Sequence, residues 1–415
     1  MNIKHLTITL LSLYLTAMWG MKSATAASFT VVADGLNNPG GLSFGQDGKL
    51  YITEGGSGGE GPCVPPPSGS GDSLCLGNNG VVSVIDNGEV KPILTGLPSL
   101  ARTDGTRAAG PRDIQFDPTG QAYILLGYGA NPTFRDRLGE TGLGTIITPD
   151  LDNNTWTSIA DISNHELVNN PDGEDLNSNP LKFIIDGNQM ITIDSAANSL
   201  VSYDIAQNTI QTLAVFPQQQ IINPVFPSGA SPSPEPEQIS TETAQTTTQS
   251  VPTAITQGPD NAYYISEYTG FPFPEGGAKI YRVGDDGTPT IYADGLTQLI
   301  DLDFDPEGNL YALQYANESA WKGNPAGSLI KIAPDGTQTT VLSGNGLESP
   351  TGLSISDDGV IYIANRGDRP WAGQIIRVTN TQSVPEPHTP YTPLIFSTLG
   401  LICFTKKHKF LLNKH

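Results

Sequence analysis

A short unit recurs along the chain, and its repetition limits the possible folds more than any other feature of the sequence. Each copy has a proline or turn, a short apolar strand, an Asp-Gly or similar turn, and a second strand centred on Tyr or its equivalent. Clear copies occupy residues 38–52, 110–124, 300–311 and 350–363, and looser ones occupy 180–190 and 252–264. Such β-meanders cannot bury their apolar faces alone, so radial packing is expected. The sequence therefore predicts an all-β chain folded as a six-bladed β-propeller.

The composition agrees with many short strands joined by turns. Of the 415 residues, 46 are glycine and 33 are proline, whereas a helical bundle needs long runs without either. Residues 28–380 are predicted to form the propeller as one domain, with residues 29–33 supplying the outer strand of the last blade. A seventh blade and a β-solenoid are the alternatives.

The spacing between the first units is longer than between the last ones, which predicts insertions. Residues 217–250 are rich in Gln, Pro, Ser and Thr and are predicted to be a disordered insertion. A second insertion, at 55–80, contains Cys63 and Cys75. In an oxidising compartment these cysteines are expected to form a disulfide, and the alternative is two free thiols.

Both ends of the chain have the character of targeting segments. Residues 1–27 combine an early lysine, an apolar stretch and an Ala-Thr-Ala sequence, which predicts a signal peptide removed by signal peptidase. A retained membrane anchor is the alternative. Residues 384–415 contain Pro385, Glu386 and Pro387, then an apolar run at 394–404 and a basic cluster at 406–409.

This C-terminal arrangement resembles a PEP-CTERM sorting signal. The resemblance implies transient membrane anchoring by the apolar segment and processing by an exosortase-type peptidase. The apolar run has 11 residues, which is short beside the ~20 of a membrane span, and a disordered tail is the alternative. Together the two ends predict an exported protein, located in the periplasm, at the cell surface or in the extracellular matrix.

Charge and cysteine content exclude several functional classes. The chain has 42 acidic and 21 basic residues and a formal net charge of -21, so no nucleic-acid partner is expected. Three cysteines are too few for a Cys-rich zinc module. The sequence contains no Gly-x-Ser-x-Gly, phosphate-loop or HExxH motif, and His165 is the only histidine between the terminal segments.

Alignment of the repeats brings polar residues to the start of the inner strand. Asp113, Lys182 and Asp301 share this position with small residues of the other units, and Arg112 precedes Asp113. Innermost strands line the channel of a propeller. These four side chains are therefore candidates for ligand binding.

A second position, three residues after the central aromatic residue, also collects polar side chains. It holds an acceptor in four units: Glu54, Glu267, Gln314 and Asn365. In the third unit the aligned Ile193 stands beside Asp194. Glu54, Asp194, Glu267 and Asn365 are candidate oxygen ligands for Ca²⁺. The alternative is that these side chains cap strand ends and bond turn amides.

Aromatic and arginine side chains in the loops indicate a second kind of site. The aromatic candidates for the rim of a planar-ligand site are Tyr128, Phe134, Tyr268, Phe271, Phe273, Trp321 and Trp371. Burial between blades is the alternative for these rings. The second unit holds five arginines, Arg102, Arg107, Arg112, Arg135 and Arg137. They are expected either to receive a carboxylate or phenolate ligand or to pair with surface acids.

Several segments together resemble a known family. They are ADGL at 33–36, GLSF at 41–44, CLGN at 75–78, TGLPSL at 95–100, NNPDG at 169–173 and EYTGFPFP at 267–274, the last being the most specific. Over about residues 29–380 the chain is similar to NHL-type propellers, and more closely to the ScyD/ScyE family associated with scytonemin biosynthesis in cyanobacteria.

The resemblance implies an exported propeller. We expect it to act as a scaffold that binds a small aromatic ligand or a protein partner, with a role outside the cytoplasm in synthesis of the sunscreen pigment scytonemin. The alternative is a metal-dependent propeller enzyme, either a lactonase-like hydrolase or an oxidoreductase, acting on a pathway intermediate. Some lactonase-type propellers hold a metal in this way, which is the basis of the Ca²⁺ expectation.

Overall fold

Six antiparallel sheets follow one another along the chain in the computed structural model, which describes residues 27–67, 71–228 and 245–379. Each sheet has four main strands. The inner strand of each sheet contacts the inner strand of the next, and the last contacts the first. The sheets therefore form a closed ring around a central channel, and the predicted six-bladed β-propeller is confirmed.

The first three blades follow a strand that belongs to the last one, β1 (Ser28–Leu36). Blade 1 contains β2 (Pro39–Phe44), β3 (Leu50–Glu54), the short β4 (Cys63–Val64), β5 (Leu74–Asp86) and β6 (Glu89–Ala101). Blade 2 contains β7 (Pro111–Phe116), β8 (Ala122–Leu126), β9 (Thr145–Asp150) and β10 (Thr155–Asp161). Blade 3 contains β11 (Pro180–Asp186), β12 (Gln189–Asp194), β13 (Ser199–Asp204) and β14 (Thr209–Val215).

The second half of the ring follows a separate hairpin of β15 (Gln219–Ile222) and β16 (Gln245–Thr248). Blade 4 contains β17 (Pro252–Gln257), β18 (Tyr263–Glu267), β19 (Ala278–Val283) and β20 (Pro289–Leu296). Blade 5 contains β21 (Leu299–Phe304), β22 (Leu310–Gln314), β23 (Ala326–Ile332) and β24 (Gln338–Glu348). Blade 6 contains β25 (Gly352–Ile355), β26 (Ile361–Asn365) and β27 (Gly373–Thr379), completed by β1.

The described helical segments are short and lie in loops. They are α1 (Ile162–Asn169) and two 3-10 helices (Pro132–Leu138 and Ala320–Lys322). No helix within the described ranges is long and apolar enough to cross a membrane.

The ring closes by pairing the two ends of the described chain. Strand β1 is antiparallel to β27, with Ser28 opposite Thr379 and Leu36 opposite Gly373. The sequence expectation for residues 29–33 is thus met. Because β27 begins on the face where β26 ends, Ser28 and Thr379 lie on the opposite face of the ring.

Apolar side chains pack mainly between neighbouring blades. One buried cluster joins Val82 and Leu94 of blade 1 to Ile114 and Ile124 of blade 2. Each such side chain contributes about 1.5–3 kcal/mol when fully buried. The inner strands approach so closely that a Cβ on Gly352 would lie 1.9 Å from the carbonyl oxygen of Gly40. Only glycine therefore fits at that crossing.

The two predicted insertions have described structure. The Cys63 and Cys75 sulfurs are joined in a disulfide of 2.03 Å. The expectation of disorder over 217–250 is corrected at both ends, because Gln219–Ile222 pairs with Gln245–Thr248 as a hairpin. Backbone pairing does not need the large apolar side chains that this segment lacks. The predicted sorting signal at 384–415, residues 1–26 of the predicted signal peptide (1–27) and residues 229–244 of the predicted insertion lie outside the described residues.

Candidate functional site

The channel opens on one face of the ring into a cavity of about 970 Å³, the funnel. Its wall is formed by residues that precede inner strands, such as Arg107, Asn179 and Val251, and residues that follow second strands, such as Tyr268 and Tyr315. These two kinds of segment lie on the same face because the first two strands of a blade are antiparallel. The funnel therefore lies opposite Ser28 and Thr379.

The strand-end residues predicted as metal ligands hold the turns of this face together. Glu54 Oε2 accepts from the Asn37 amide at 2.8 Å. Gln314 Oε1 accepts from the Thr297 amide at 2.9 Å. Asn365 Oδ1 accepts from the Glu348 amide at 2.8 Å. In all three the donor lies 17 residues earlier, so one bond recurs in three blades.

The other two carboxylates are held in similar places. Asp194 Oδ1 accepts from the Asn179 amide at 2.7 Å, and its Oδ2 accepts from Ser178 at 2.6 Å. Glu267 Oε1 accepts from the Ser250 hydroxyl at 2.6 Å. Burial raises the pKa of the Glu267 carboxyl, and it raises that of Asp194 to about 6 against these hydrogen bonds.

The four residues predicted as calcium ligands accept the hydrogen bonds just described. Glu54, Asp194, Glu267 and Asn365 belong to four different blades and are occupied as described. Among the described residues no three His, Cys, Asp or Glu side chains are grouped so that they could hold a metal ion. The strand-end residue of blade 3 is also Asp194 rather than the aligned Ile193, since Asp194 is the one opposite Pro180.

The predicted channel residues do come together. Lys182 Nζ lies 2.5 Å from Asp301 Oδ2, and both side chains are buried. Asp301 Oδ2 also accepts from the Leu353 amide at 2.7 Å. Asp113 Oδ2 accepts from the Phe183 amide at 3.1 Å. Each aspartate thus binds the inner strand of the next blade.

We call Asp113, Lys182 and Asp301 the channel group. Burial and nearby charges have opposite effects on the pKa values of Asp113 and Lys182. Burial raises the pKa of Asp113 to about 6, although Lys182 lowers it. Burial lowers the pKa of Lys182, but Asp301 and Asp113 together outweigh burial and leave the pKa raised. Lys182 is therefore charged, and the channel group acts as an internal brace between blades.

Arg112 lies beside Asp113, and its side chain packs against Gly127 at the end of the second strand of blade 2. A Cβ on Gly127 would lie 2.6 Å from Arg112 Cγ, so the side chain needs a glycine there. Its Nη1 donates to the Ala108 carbonyl at 3.2 Å. Burial lowers the pKa of the guanidinium, which nearby Asp113 raises.

Aromatic side chains form one wall of the funnel. The ring centroids of Tyr268 and Phe273 are 5.9 Å apart, and those of Phe271 and Phe273 are 6.0 Å apart. Tyr268 also meets Tyr315 of the next blade at 5.8 Å. Phe271 is 48% exposed. We call Tyr268, Phe271, Phe273 and Tyr315 the aromatic wall.

The loop that carries Tyr268, Phe271 and Phe273 is held in place by hydrogen bonds from blade 5. Trp321 Nε1 donates to the Pro272 carbonyl at 3.0 Å, and Ser319 Oγ donates to the Phe273 carbonyl at 2.8 Å. Thr269 and Phe273 both have positive φ, +72° and +58°, a rare conformation for such side chains. Blade 5 therefore fixes a backbone that would otherwise be unfavourable.

The structure sorts the other predicted aromatic residues. Tyr128 is fully buried in an apolar cluster, and the Arg137 guanidinium lies 4.3 Å from the Phe134 ring centroid. Trp371 is exposed and is not part of the funnel lining. Tyr315 was missed, although it follows Gln314 just as Tyr268 follows Glu267.

A loop at 102–108 reaches across the mouth of the channel. Asn38 Nδ2 of blade 1 donates to its Gly105 carbonyl at 2.9 Å. The positive charge of Arg107, at the end of this loop, lowers the pKa values of Tyr268 and Tyr315, on the far side of the ring. Burial still raises both, that of Tyr315 to about 12, so both hydroxyls are protonated at neutral pH.

Comparison with known proteins adds only to the description of the fold. No family model and no curated protein matches the sequence. Similar solved structures include virginiamycin B lyase from Staphylococcus aureus (12% identity, TM-score 0.42, 85% of this chain and 99% of that one). Others are a gluconolactonase from Xanthomonas campestris (11%, 0.48, 85% and 90%) and an auxiliary nutrient binding protein from Bacteroides thetaiotaomicron (12%, 0.46, 85% and 72%).

Proposed function

We propose that this chain is an exported binding scaffold that holds a small aromatic molecule in the funnel. The observation that carries the proposal is the aromatic wall, in which neighbouring ring centroids lie 5.8–6.0 Å apart beside a cavity of about 970 Å³. Planar ligands make offset or edge contacts with such rings.

The exposure of Phe271 supports ligand binding. It is 48% exposed although the loop around it is fixed by Trp321 and Ser319. Apolar surface in water costs about 25 cal/mol per Å², and fixed exposed apolar surface in a concave site is typical of ligand pockets. A bound ring would cover it.

The dimensions of the funnel favour a small molecule over a protein partner. Small-molecule sites are concave and enclose roughly 300–1,000 Å³, whereas protein interfaces are broad surfaces. The funnel falls at the upper end of that range. It has room for a ligand of two or three fused or linked rings.

Export is the second part of the proposal. The terminal segments described above support it, and a disulfide between Cys63 and Cys75 is typical of oxidising compartments. Thr379, the last described residue before the predicted sorting signal, lies on the face opposite the funnel.

The resemblance to the ScyD/ScyE family suggests the setting. The ligand would be an indolic or phenolic intermediate or product of scytonemin synthesis outside the cytoplasm. The most specific segment of that resemblance, 267–274, includes three of the four residues of the aromatic wall. The proposal thus assigns a role to the segment that carries the likeness.

Calorimetric titration with indole, a neutral aromatic probe, tests the proposal. We expect the wild type to bind it and the F271A/F273A variant to bind roughly tenfold or more weakly, because two aromatic contacts are removed. Trp371→Ala is the matched control, since Trp371 is exposed outside the funnel. Equal affinity of the wild type and the double variant would refute the proposal.

A further inference from the structure

We infer that Arg107 binds an anionic group of the aromatic ligand, so that the funnel selects aromatic carboxylates or phenolates over neutral aromatic molecules. The inference rests on the proposed function of the funnel and specifies its ligand class. Sequence reasoning placed Arg107 only within a group of five arginines.

The first support is that the guanidinium of Arg107 is unpaired, whereas the other cation of the funnel is paired. Two basic side chains line the funnel, Arg107 and Arg369. Arg369 Nη1 lies 2.8 Å from Glu348 Oε2. Arg107 takes part in no ion pair and no side-chain hydrogen bond within the described ranges, although the formal net charge of the chain is -21.

The other arginines of the second unit, Arg102 included, lie outside the funnel lining. Arg135 Nη1 lies 2.7 Å from Asp161 Oδ1. Arg137 lies against the ring of Phe134. Arg112 donates to a backbone carbonyl inside the channel. Of the five, Arg107 alone lines the funnel, and a guanidinium there can donate two parallel hydrogen bonds to a carboxylate.

The second support is that the backbone holds Arg107 in place. Thr106 donates through its amide and its hydroxyl to Asp104 Oδ1, at 2.9 and 2.6 Å. The Arg102 amide donates to the Thr106 carbonyl at 3.1 Å. Arg107 itself has φ +52°, which a non-glycine residue adopts only when its surroundings require it. The backbone at Arg107 is thus fixed before the ligand arrives.

The third support is the surroundings of the guanidinium. The charge of Arg107 acts on the hydroxyls of Tyr268 and Tyr315, so it lies within electrostatic reach of the aromatic wall. The Tyr268 hydroxyl makes no hydrogen bond to any described residue, whereas the Tyr315 hydroxyl donates to Asp368 at 2.8 Å. Tyr268 therefore provides a second free donor for an oxyanion.

The acidic side chains that line the funnel, Asp175 and Asp368, do not pair with Arg107. Asp368 Oδ2 accepts the bond from the Tyr315 hydroxyl, and Arg369 Nε lies 3.9 Å from its Oδ1. Asp175 and Arg107 are both exposed, so solvent screens both charges. Among the described residues that line the funnel, Arg107 is therefore the cation without an acidic partner.

Two probes that differ in one group test the inference: indole-3-acetate and neutral indole-3-acetamide. We expect the wild type to bind the acetate roughly tenfold or more tightly, as a charged hydrogen bond implies. In R107Q the preference should vanish because the affinity for the acetate falls much more than the affinity for the amide, and R107K should retain part of the preference. Arg137→Gln is the control, because it removes the same charge outside the funnel.

The possible results distinguish a failure of this inference from a failure of the proposed function. Equal affinity of the wild type for both probes, or a preference that survives in R107Q, would overturn the role of Arg107 and leave aromatic binding intact. Failure of both probes and of indole to bind would overturn both. Thermal unfolding of R107Q at the wild-type temperature confirms that a lost preference does not reflect misfolding.

Discussion

Lys182 of blade 3 and Asp301 of blade 5 form an ion pair inside the channel, with 2.5 Å between Nζ and Oδ2 and a sequence separation of 119. Asp301 in turn accepts from the Leu353 amide of blade 6, so three blades meet at one carboxylate. A ring without a central covalent link is stabilised where such contacts cross it.

Lys182→Met is therefore expected to destabilise the ring strongly. It leaves Asp301 buried without its cation, which costs about 3–5 kcal/mol. Urea unfolding measures the change. Lys49→Met is the control, because Lys49 pairs with Asp86 at 3.5 Å on the surface, where a pair contributes roughly 0–1 kcal/mol. Equal losses in the two variants would contradict a bracing role.

The buried carboxyl group of Glu166 is expected to make the stability of the protein depend on pH. Burial raises the pKa of its carboxyl to about 8, with added repulsion from Asp194 and Asp172, and neither oxygen has a hydrogen-bond partner among the described residues. Its unfolded pKa is about 4.3. The folded state thus holds the proton more tightly, so the stabilisation is complete below about pH 4 and is lost as the pH rises through about 8.

The Glu166→Gln variant isolates that dependence. Between about pH 7 and pH 9 the melting temperature of the wild type should fall more steeply than that of E166Q, because glutamine has no proton to lose. Asp113 and Asp194 titrate near 6 and contribute less in this window. Parallel curves for the two proteins would show that Glu166 is not the group responsible.

The disulfide is expected to affect both the stability of the protein and the binding of ligand in the funnel. Pro66 and Pro67, which line the funnel, lie within the segment closed by Cys63 and Cys75. Replacing both cysteines by serine should lower the free energy of unfolding by about 2–3 kcal/mol and weaken the binding of indole. Unfolding and calorimetry measure the two effects. A loss of stability with full affinity would mean that the prolines do not contact the ligand.

Calcium should have no effect on stability, because the strand-end residues serve as hydrogen-bond acceptors. Millimolar Ca²⁺ or a chelator is expected to leave the melting temperature unchanged. Glu54→Ala should cost about 1–3 kcal/mol, while Glu54→Gln, which keeps the acceptor for the Asn37 amide, should cost less. A rise in melting temperature with Ca²⁺ that disappears in E54Q would restore the metal interpretation.

The sequence was sufficient for the fold because each blade repeats a local pattern. The Asp-Gly turns and the inner-strand positions of Asp113, Lys182 and Asp301 align in the structure as in the sequence. The alignment of the repeats was wrong by one residue at the strand end of blade 3, because the second strand of that blade has no tyrosine to mark the register.

The site was only partly predictable. Phe271 and Phe273 were found because they share an unusual loop, but the contact of Tyr268 with Tyr315 and the reach of Arg107 across the ring join different blades. Spacing within one unit does not report which loops of other blades meet above the channel. The pairing of Lys182 with Asp301 was hidden for the same reason, although both residues were assigned to the channel.

The most direct test is a crystal structure of the protein with bound indole-3-acetate. The account predicts density for the indole ring against Phe271 and Phe273, with the carboxylate within hydrogen-bond distance of Arg107. An empty funnel at saturating ligand, or a ring bound elsewhere on the propeller, would contradict it.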